Sequence, residues 1–332
     1  MRVFCLVSGP DHVCCRYRLA AFAPALANAG HSLELVRLPS SWWERLLLFR
    51  KLRGESVLIQ RHLLPVWQLT LLRRWVRLLL VDIDDAVWLR DSYDSRGLHH
   101  PRKLQRFAAL CRAADTVLAG NRFLAAQVER LGGNPVVVPT CVDVHKYQPA
   151  TDLDRRDGRT LVWVGSSSTL QGLERIAHLL DDVAQAVPGL RLKVVCDRFP
   201  AFRHLPVLPV RWSEATEAAE IADADVGISW IPDDDWSRGK CGLKLLQYMA
   251  AGLPTIANSV GVHPQIISNG DTGFLADTAE QWRYSVIRLL SDPQMRGEMG
   301  ADARQRVEQE YSVETGTALW LATLERLQRK AA

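Results

Sequence analysis

The sequence predicts an α/β protein made of two Rossmann-like halves. Short apolar runs alternate with amphipathic stretches along most of the chain, the pattern of parallel strands joined by helices. A polar, breaker-rich segment at 148–159 interrupts the alternation, with Pro149, Asp152, Asp154, Arg155, Arg156, Asp157 and Gly158. The alternation then restarts. This gives halves of similar size, 1–150 and 151–332, as a length of 332 residues suggests.

Each element follows from its residues. Residues 3–8 read as the first strand, and the stretch from Met1 to Ser8 is too short for a signal peptide. A helix is expected at 16–29, closed by Gly30, then a strand at 31–38. Residues 40–53 form the next helix, with Ser40 or Ser41 as its cap. A strand at 57–60, a helix at 67–74 and a buried strand at 78–83 follow. The half closes with a helix at 102–113, a strand at 116–119 and a helix at 122–131. After the interruption come a strand at 161–165, a helix at 170–186, a strand at 192–196, a helix at 213–222 and a strand at 226–230.

Composition bounds the function. With 48% hydrophobic and 23% charged residues, the chain is of globular type, and no apolar run reaches transmembrane length. The seven cysteines are odd in number and lack metal spacing, which suggests reduced thiols and a cytoplasmic protein. Residues 1–150 hold 21 of the 41 lysines and arginines but only 12 of the 37 acids. Such a basic half suits an acidic surface or acceptor, and also suits an ordinary solvated surface. Nothing points to nucleic acid.

The richest stretch is 238–257. Gly239 and Gly242 allow close backbone approach, a helix is expected at 243–251, and Gly252-Leu253-Pro254 ends it. Helix-start amides with Arg238, Lys240 and Lys244 form a site for an anion, most simply a diphosphate. Lys240, Lys244 and Gln247 stand at helical spacing, so one stripe is expected to face the ligand.

This segment resembles the donor-site signature of retaining GT-B glycosyltransferases of family 4, the glycosyltransferase group 1 type. Gly242, Leu245, Leu246, Met249, Ala250, Gly252, Pro254, Ala257, Gly261, Gly270, Gly273 and Phe274 fall on that pattern. Both signature glutamates are absent: Gly239 stands at the first and Gln247 at the second. Val138-Pro139-Thr140-Cys141-Val142-Asp143, then His145 to Pro149, resembles the family's interdomain segment. The resemblance implies a GT-B fold, two Rossmann-like domains facing each other across a cleft. The N-terminal one meets the acceptor and the C-terminal one binds a nucleotide sugar, and the last helix can pack back on the N-terminal domain. It also implies sugar transfer with retention, and no metal or other cofactor.

Site expectations follow. Asp84, Lys240 and Lys244 are expected to act in catalysis. Gly165, Ser166, Ser167, Arg238, Gly242, Leu243 and Gln247 are expected to bind the donor, with Gln247 holding its ribose. Arg16, Arg18 and Asp85 are assigned to the acceptor or phosphate side; the two arginines sit near a helix start, where cations oppose the dipole. The Asp82 to Asp85 run has three readings: the metal-binding pair of a GT-A transferase, the nucleophile loop of a haloacid-dehalogenase phosphatase, or the acceptor-side wall of a GT-B enzyme. The third fits the rest of the chain. Asp233 to Asp235 reads as a solvated turn or a holder of sugar hydroxyls. The helix with Trp42, Trp43, Arg45, Phe49, Arg50, Lys51 and Arg53 reads as a core helix with snorkelling arginines or a peripheral contact with an anionic membrane. The expected partners are thus a nucleotide sugar and a glycan, lipid-linked or small-molecule acceptor. The competing readings are a sugar-nucleotide epimerase or hydrolase on the same fold, and a non-catalytic nucleotide-sugar-binding subunit.

Overall fold

The computed structural model describes residues 1–150 and 158–331; the linker residues 151–157 invoked above lie outside them. The first part runs β1 (Arg2–Val7), α1 (Val13–Arg18), α2 (Ala23–Asn28), β2 (Ser32–Arg37), α3 (Trp42–Lys51), β3 (Ser56–Gln60), α4 (Val66–Trp75), β4 (Leu78–Ile83), α5 (Pro101–Ala113), β5 (Thr116–Ala119), α6 (Arg122–Arg130) and β6 (Pro135–Val137). The second runs β7 (Thr160–Val164), α7 (Ser167–Arg175), α8 (Ala177–Ala186), β8 (Arg191–Cys196), β9 (Val207–Arg211), α9 (Glu217–Ala222), β10 (Val226–Ser229), α10 (Asp235–Arg238), α11 (Leu243–Ala250), β11 (Thr255–Ala257), α12 (His263–Ile266), β12 (Gly273–Leu275), α13 (Ala279–Ser291), α14 (Pro293–Glu310) and α15 (Val313–Ala331).

These elements form two compact units. The first comprises Met1–Cys141, Asp234–Cys241 and Val313–Ala332; the second comprises Val142–Asp233 and Gly242–Ser312. The change-over at Cys141 comes ahead of the polar segment. Tyr147 explains why: it is fully buried in the second unit, where Arg304 donates to its carbonyl at 2.6 Å. The signature stretch is itself divided, with Arg238 to Cys241 in the first unit and the rest in the second.

The first unit holds a six-stranded parallel sheet in the order β2-β1-β3-β4-β5-β6. Alternate residues feed two cores. Leu79, Val81 and Ile83 of β4 join Phe49, Leu72, Trp88 and Phe107 on one face. Leu78 and Leu80 join Phe22, Trp320, Leu324 and Leu327 on the other, so α15 closes that face. The second unit repeats the plan with the order β12-β11-β10-β7-β8-β9, again parallel. Its core gathers Leu161, Trp163, Val194, Ile228, Trp282 and Leu289.

Three expected elements differ. The helix expected at 16–29 is split: α1 ends at Arg18, Leu19 leaves helical geometry, and α2 restarts with Pro24 in its first turn. A proline cannot continue a helix because it lacks the N–H and its ring clashes with the preceding turn. The helix expected at 170–186 starts earlier, at Ser167, and breaks at Ile176. The helix expected at 213–222 begins only at Glu217. Strands β6 and β9 carry Pro135 and Pro209 and lie at the sheet edges, the positions where a missing ladder donor is tolerated.

Candidate active site

In the second unit, α11 starts at a backbone reversal. Gly242 adopts φ +69°, and a Cβ there would meet Ile266 and Val262, so glycine is required for both conformation and space. Leu246 N–H makes the first bond back, to Gly242 O at 3.2 Å, so the amides of Leu243 to Leu245 precede the helix's own ladder. Lys244, half-buried, reaches Thr169 Oγ1 at 3.5 Å and lies 5.1 Å from the Trp163 ring centre. Thr169 is in the first turn of α7, so Lys244 and the 165–169 loop share one location. Gly165 is tight there: a Cβ would stand 2.5 Å from the Trp163 ring.

Two expectations about this face are corrected. Gln247 does not face outward. It is 3% exposed, and Nε2 donates to Tyr147 Oη at 2.8 Å and to Glu217 Oε1 at 3.0 Å. Both amide hydrogens are therefore engaged, and the side chain is not placed to hold a ribose. Nor is there a single stripe of Lys240, Lys244 and Gln247. The left-handed Gly242 separates Lys240 from the helix, and Lys240 belongs to the first unit. The expectation that Ser166 and Ser167 bind the donor also changes. Ser167 donates its N–H at 2.7 Å and its hydroxyl at 2.8 Å to Asp197, which already supplies the anion favoured at a helix start. Those bonds to the charged form hold the Asp197 carboxyl down at about 2. Ser166 N–H donates to Thr169 Oγ1 at 3.4 Å.

In the first unit the carboxyl end of the sheet gathers charge. Asp82 is fully buried and accepts from Arg18 Nη2 at 2.6 Å, Arg18 Nε at 3.1 Å and Gln60 Nε2 at 3.1 Å. Arg18 is 1% exposed and also donates to Val138 O at 2.5 Å. The anion that relieves Arg18 at the helix is thus Asp82, and its assignment to a phosphate is withdrawn. Arg16, half-buried, lies 5.4 Å from the Tyr17 ring centre. A buried Asp82 bonded in this way also cannot serve as an attacking nucleophile, which removes the phosphatase reading.

Asp84 and Asp85 share Arg61, with Nη1 to Asp84 at 3.1 Å and Nη2 to Asp85 at 2.5 Å. Lys240 Nζ reaches Asp85 at 2.8 Å and lies over the Trp236 ring at 3.2 Å. Burial pushes the Asp84 carboxyl up, but Arg61, Arg18, the Cys14 thiol and Lys240 outweigh it and hold it below its ordinary value. Among the described residues, no three of His, Cys, Asp and Glu gather to hold a metal ion. Asn121 anchors the segment after α10: its Nδ2 donates to Lys240 O at 2.9 Å and Arg238 O at 3.3 Å, while its Oδ1 caps α6. Asp234 is neither free turn nor sugar ligand, because it caps α10 through Ser237 N–H at 2.8 Å. Arg238 itself is exposed and pairs with Asp235 at 3.4 Å.

Arg61 escaped the sequence reading. Among the described residues it alone, apart from glycines, has positive φ, at 60°. Its N–H on Asp82 O and the His62 N–H on Gln60 O hold that strained turn. Its position just past the end of β3, beside β4, was the available signal. Tyr147 and Glu217 left no such signal, because only packing brings them to Gln247.

Residues 158–292 match the family model described as Glycosyl transferases group 1. This stretch is thus similar to the group 1 glycosyltransferases. Among curated relatives, phosphatidyl-myo-inositol mannosyltransferase of Mycolicibacterium smegmatis is 27% identical over 195 residues, 54% of this chain and 49% of the relative. The chain thus spans about half the length of that relative. Sucrose-phosphate synthase from Thermosynechococcus elongatus superposes with a TM-score of 0.77 at 17% identity, over 100% of this chain and 99% of that one. Anabaena HepE, solved with UDP and glucose, gives 0.70 at 15% identity over 98% and 100%. At these identities the likeness carries the fold, which is GT-B. The matched stretch holds Lys244, Gly242 and the 165–169 loop; Asp84, Asp85, Arg18 and Arg61 lie outside it.

Proposed function

We propose that this chain transfers a sugar from a nucleotide-diphosphate donor to an acceptor hydroxyl, with retention of anomeric configuration and without a metal. The observation that carries the reading is the start of α11. Lys244 stands beside the first turn of α7, at a helix start opened by a left-handed glycine, inside the residues that match the glycosyltransferase model. A leaving diphosphate needs positive charge and oriented N–H groups more than a strong base. The Leu243 to Leu245 amides and Lys244 supply these within the second unit; Lys240 is engaged by Asp85 and Arg238 by Asp235. In this reading Asp84 acts in catalysis and Asp85 lies on the acceptor side, both oriented by Arg61. Gln247 becomes a positioning residue that fixes α11 through Tyr147 and Glu217. The HepE structure holds UDP, which makes UDP-sugars the first donors to try.

The described cysteines, all seven, are free thiols, in keeping with a reducing compartment. We also propose peripheral contact with an anionic membrane through the α3 and α4 face. Trp42 is 59% exposed and Trp67 52%, their rings 6.1 Å apart, with Arg50, Lys51 and Arg53 exposed nearby in sequence. No helix among the described residues is long and apolar enough to cross a membrane.

The deciding experiment is turnover of a panel of nucleotide sugars with and without acceptors, in EDTA, for wild type and Lys244→Ala. Transfer that survives EDTA is expected. Lys244→Ala is expected to weaken donor binding by about 1.5–3 kcal/mol, the worth of a charge-assisted contact. Unchanged donor affinity in Lys244→Ala would refute the anion site. Donor consumption without acceptor would favour hydrolysis or epimerisation.

A further inference from the structure

The first unit contains a cavity of about 700 Å³ beyond the carboxylates of β4. Four of its lining side chains are permanent or near-permanent cations: Arg61, Arg102, Lys103 and Arg106. Two carboxylates line it. Asp85 is engaged by Arg61 and Lys240, and Asp91 accepts the Tyr93 N–H at 2.9 Å. The remaining three cations all come from the first turns of α5, and Arg106 stands four residues from Arg102 and three from Lys103, so it neighbours both on the helix surface.

None of the three makes a salt bridge among the described residues, and the cavity wall keeps more cations than carboxylates. Lys103 Nζ donates to the Leu89 carbonyl at 3.0 Å and Arg106 Nη1 to the Leu63 carbonyl at 3.4 Å, while Arg102 has no polar partner there. Like charges at this spacing repel, α5 has no acid in its first turn, and cations at a helix start oppose the dipole. Leu63, Val87 and Leu89 give the same cavity an apolar wall, more than a bare inorganic ion needs. Two wall histidines also feel the field. Burial, with Arg45 and Arg61 for His62 and with Arg90 and Lys103 for His100, keeps both below the ordinary histidine range.

From these observations we infer that the cavity holds an acceptor bearing a phosphate group, bound by Arg102, Lys103 and Arg106. This rests on the glycosyltransferase reading and names the chemistry of its second substrate. In the transfer, the acceptor hydroxyl oxygen bonds the anomeric carbon as the bond from that carbon to the diphosphate oxygen breaks. The hydroxyl proton leaves on the released nucleoside diphosphate. Guanidinium forks suit phosphate oxygens, and the volume fits a phosphorylated sugar or polyol, or the headgroup of a phospholipid.

Binding tests the inference separately from turnover. Calorimetry would compare glucose 6-phosphate and glycerol 3-phosphate with glucose and glycerol, and flotation would compare phosphatidylcholine vesicles with and without phosphatidylinositol. The variant is Arg102→Gln/Arg106→Gln, with Arg102→Gln alone as a surface change that leaves the fold undisturbed. Phosphate-bearing probes are expected to bind at least about tenfold tighter than neutral ones, and the double variant to lose that preference. UDP binding should be unchanged in both variants. Preference for the soluble phosphates identifies a soluble acceptor; dependence of vesicle binding on Arg102 and Arg106 identifies a lipid headgroup. Equal binding of charged and neutral probes, or a double variant that binds like wild type, overturns the inference. Failure of the glycosyltransferase reading looks different: phosphate binding persists, but no nucleotide sugar is consumed.

Discussion

Both amide hydrogens of Gln247 go to buried acceptors, so its substitution tests packing before chemistry. Gln247→Ala removes the donor to the Tyr147 hydroxyl and one of three donors to Glu217, which keeps those of Tyr147 and Trp212, and should cost about 1–3 kcal/mol of stability by urea unfolding. Donor affinity of the folded variant should fall less than in Lys244→Ala, and an equal loss would return Gln247 to the ligand. Gln247→Glu places a second carboxylate beside Glu217, so its larger deficit should shrink as pH falls. His263 gives the opposite pH dependence. It is 2% exposed, its Nδ1 lies 2.9 Å from Asn258 O, and burial with Lys244 nearby lowers it to about 4. The folded value is depressed, so its contribution is complete above the unfolded value of 6.5 and is lost as pH falls towards 4. That interval corresponds to about 3 kcal/mol. Urea midpoints of wild type and His263→Gln between pH 7.5 and 4.5 should converge on acidification. Parallel curves would show that His263 does not titrate in this window.

At the scale of elements, the α11 start is the most sensitive joint. Gly242→Ala must take a left-handed conformation and push into Ile266 and Val262, at a cost of about 1–3 kcal/mol. It should lower the melting temperature and weaken donor binding together, because it turns the Leu243 to Leu245 amides. Gly297→Ala is the control. A Cβ there meets nothing within 4 Å in the middle of α14, so it should be neutral or stabilising by up to about 1 kcal/mol. If Gly242→Ala melted and bound donor like that control, the joint would carry no functional geometry. The same scale explains which elements the sequence hid. Pro135 and Pro209 mask edge strands that exist only because a neighbouring strand offers them a ladder. The break at Leu19 is written locally in Pro24, whereas the break at Ile176 has no such marker.

For the molecule as a whole, the exposed tryptophans predict where it works. Vesicles containing anionic lipid should retain the wild-type chain, and added salt should release it, since attraction of basic residues to the surface is screened within about 10 Å at 0.1 M salt. Trp42→Ser/Trp67→Ser should reduce retention severalfold without changing turnover of a soluble acceptor. Retention that ignores both salt and the double substitution would assign these tryptophans another role. The helix α15 shows a second whole-molecule effect: although last in the chain, it belongs to the first unit through Trp320, Leu324 and Leu327.

The sequence by itself determined the alternating architecture, the two-unit plan and the glycosyltransferase signature. These rest on local periodicity and on a glycine- and cation-marked loop that any conformation of the chain carries. Gly242 was legible as a point of close backbone approach, while its left-handed conformation emerged only in the folded chain. Tertiary structure alone decided which cations are available. Arg18 and Lys240 carry the same charge as Lys244 in sequence, yet Asp82 buries and neutralises the first, and Asp85 engages the second. It also decided that Gln247 turns inward, that Arg61 takes a strained turn to bridge Asp84 and Asp85, and that Arg102, Lys103 and Arg106 line a cavity. Each depends on a partner far away in the chain, and electrostatic pairing and burial are properties of the packed chain that no local pattern encodes.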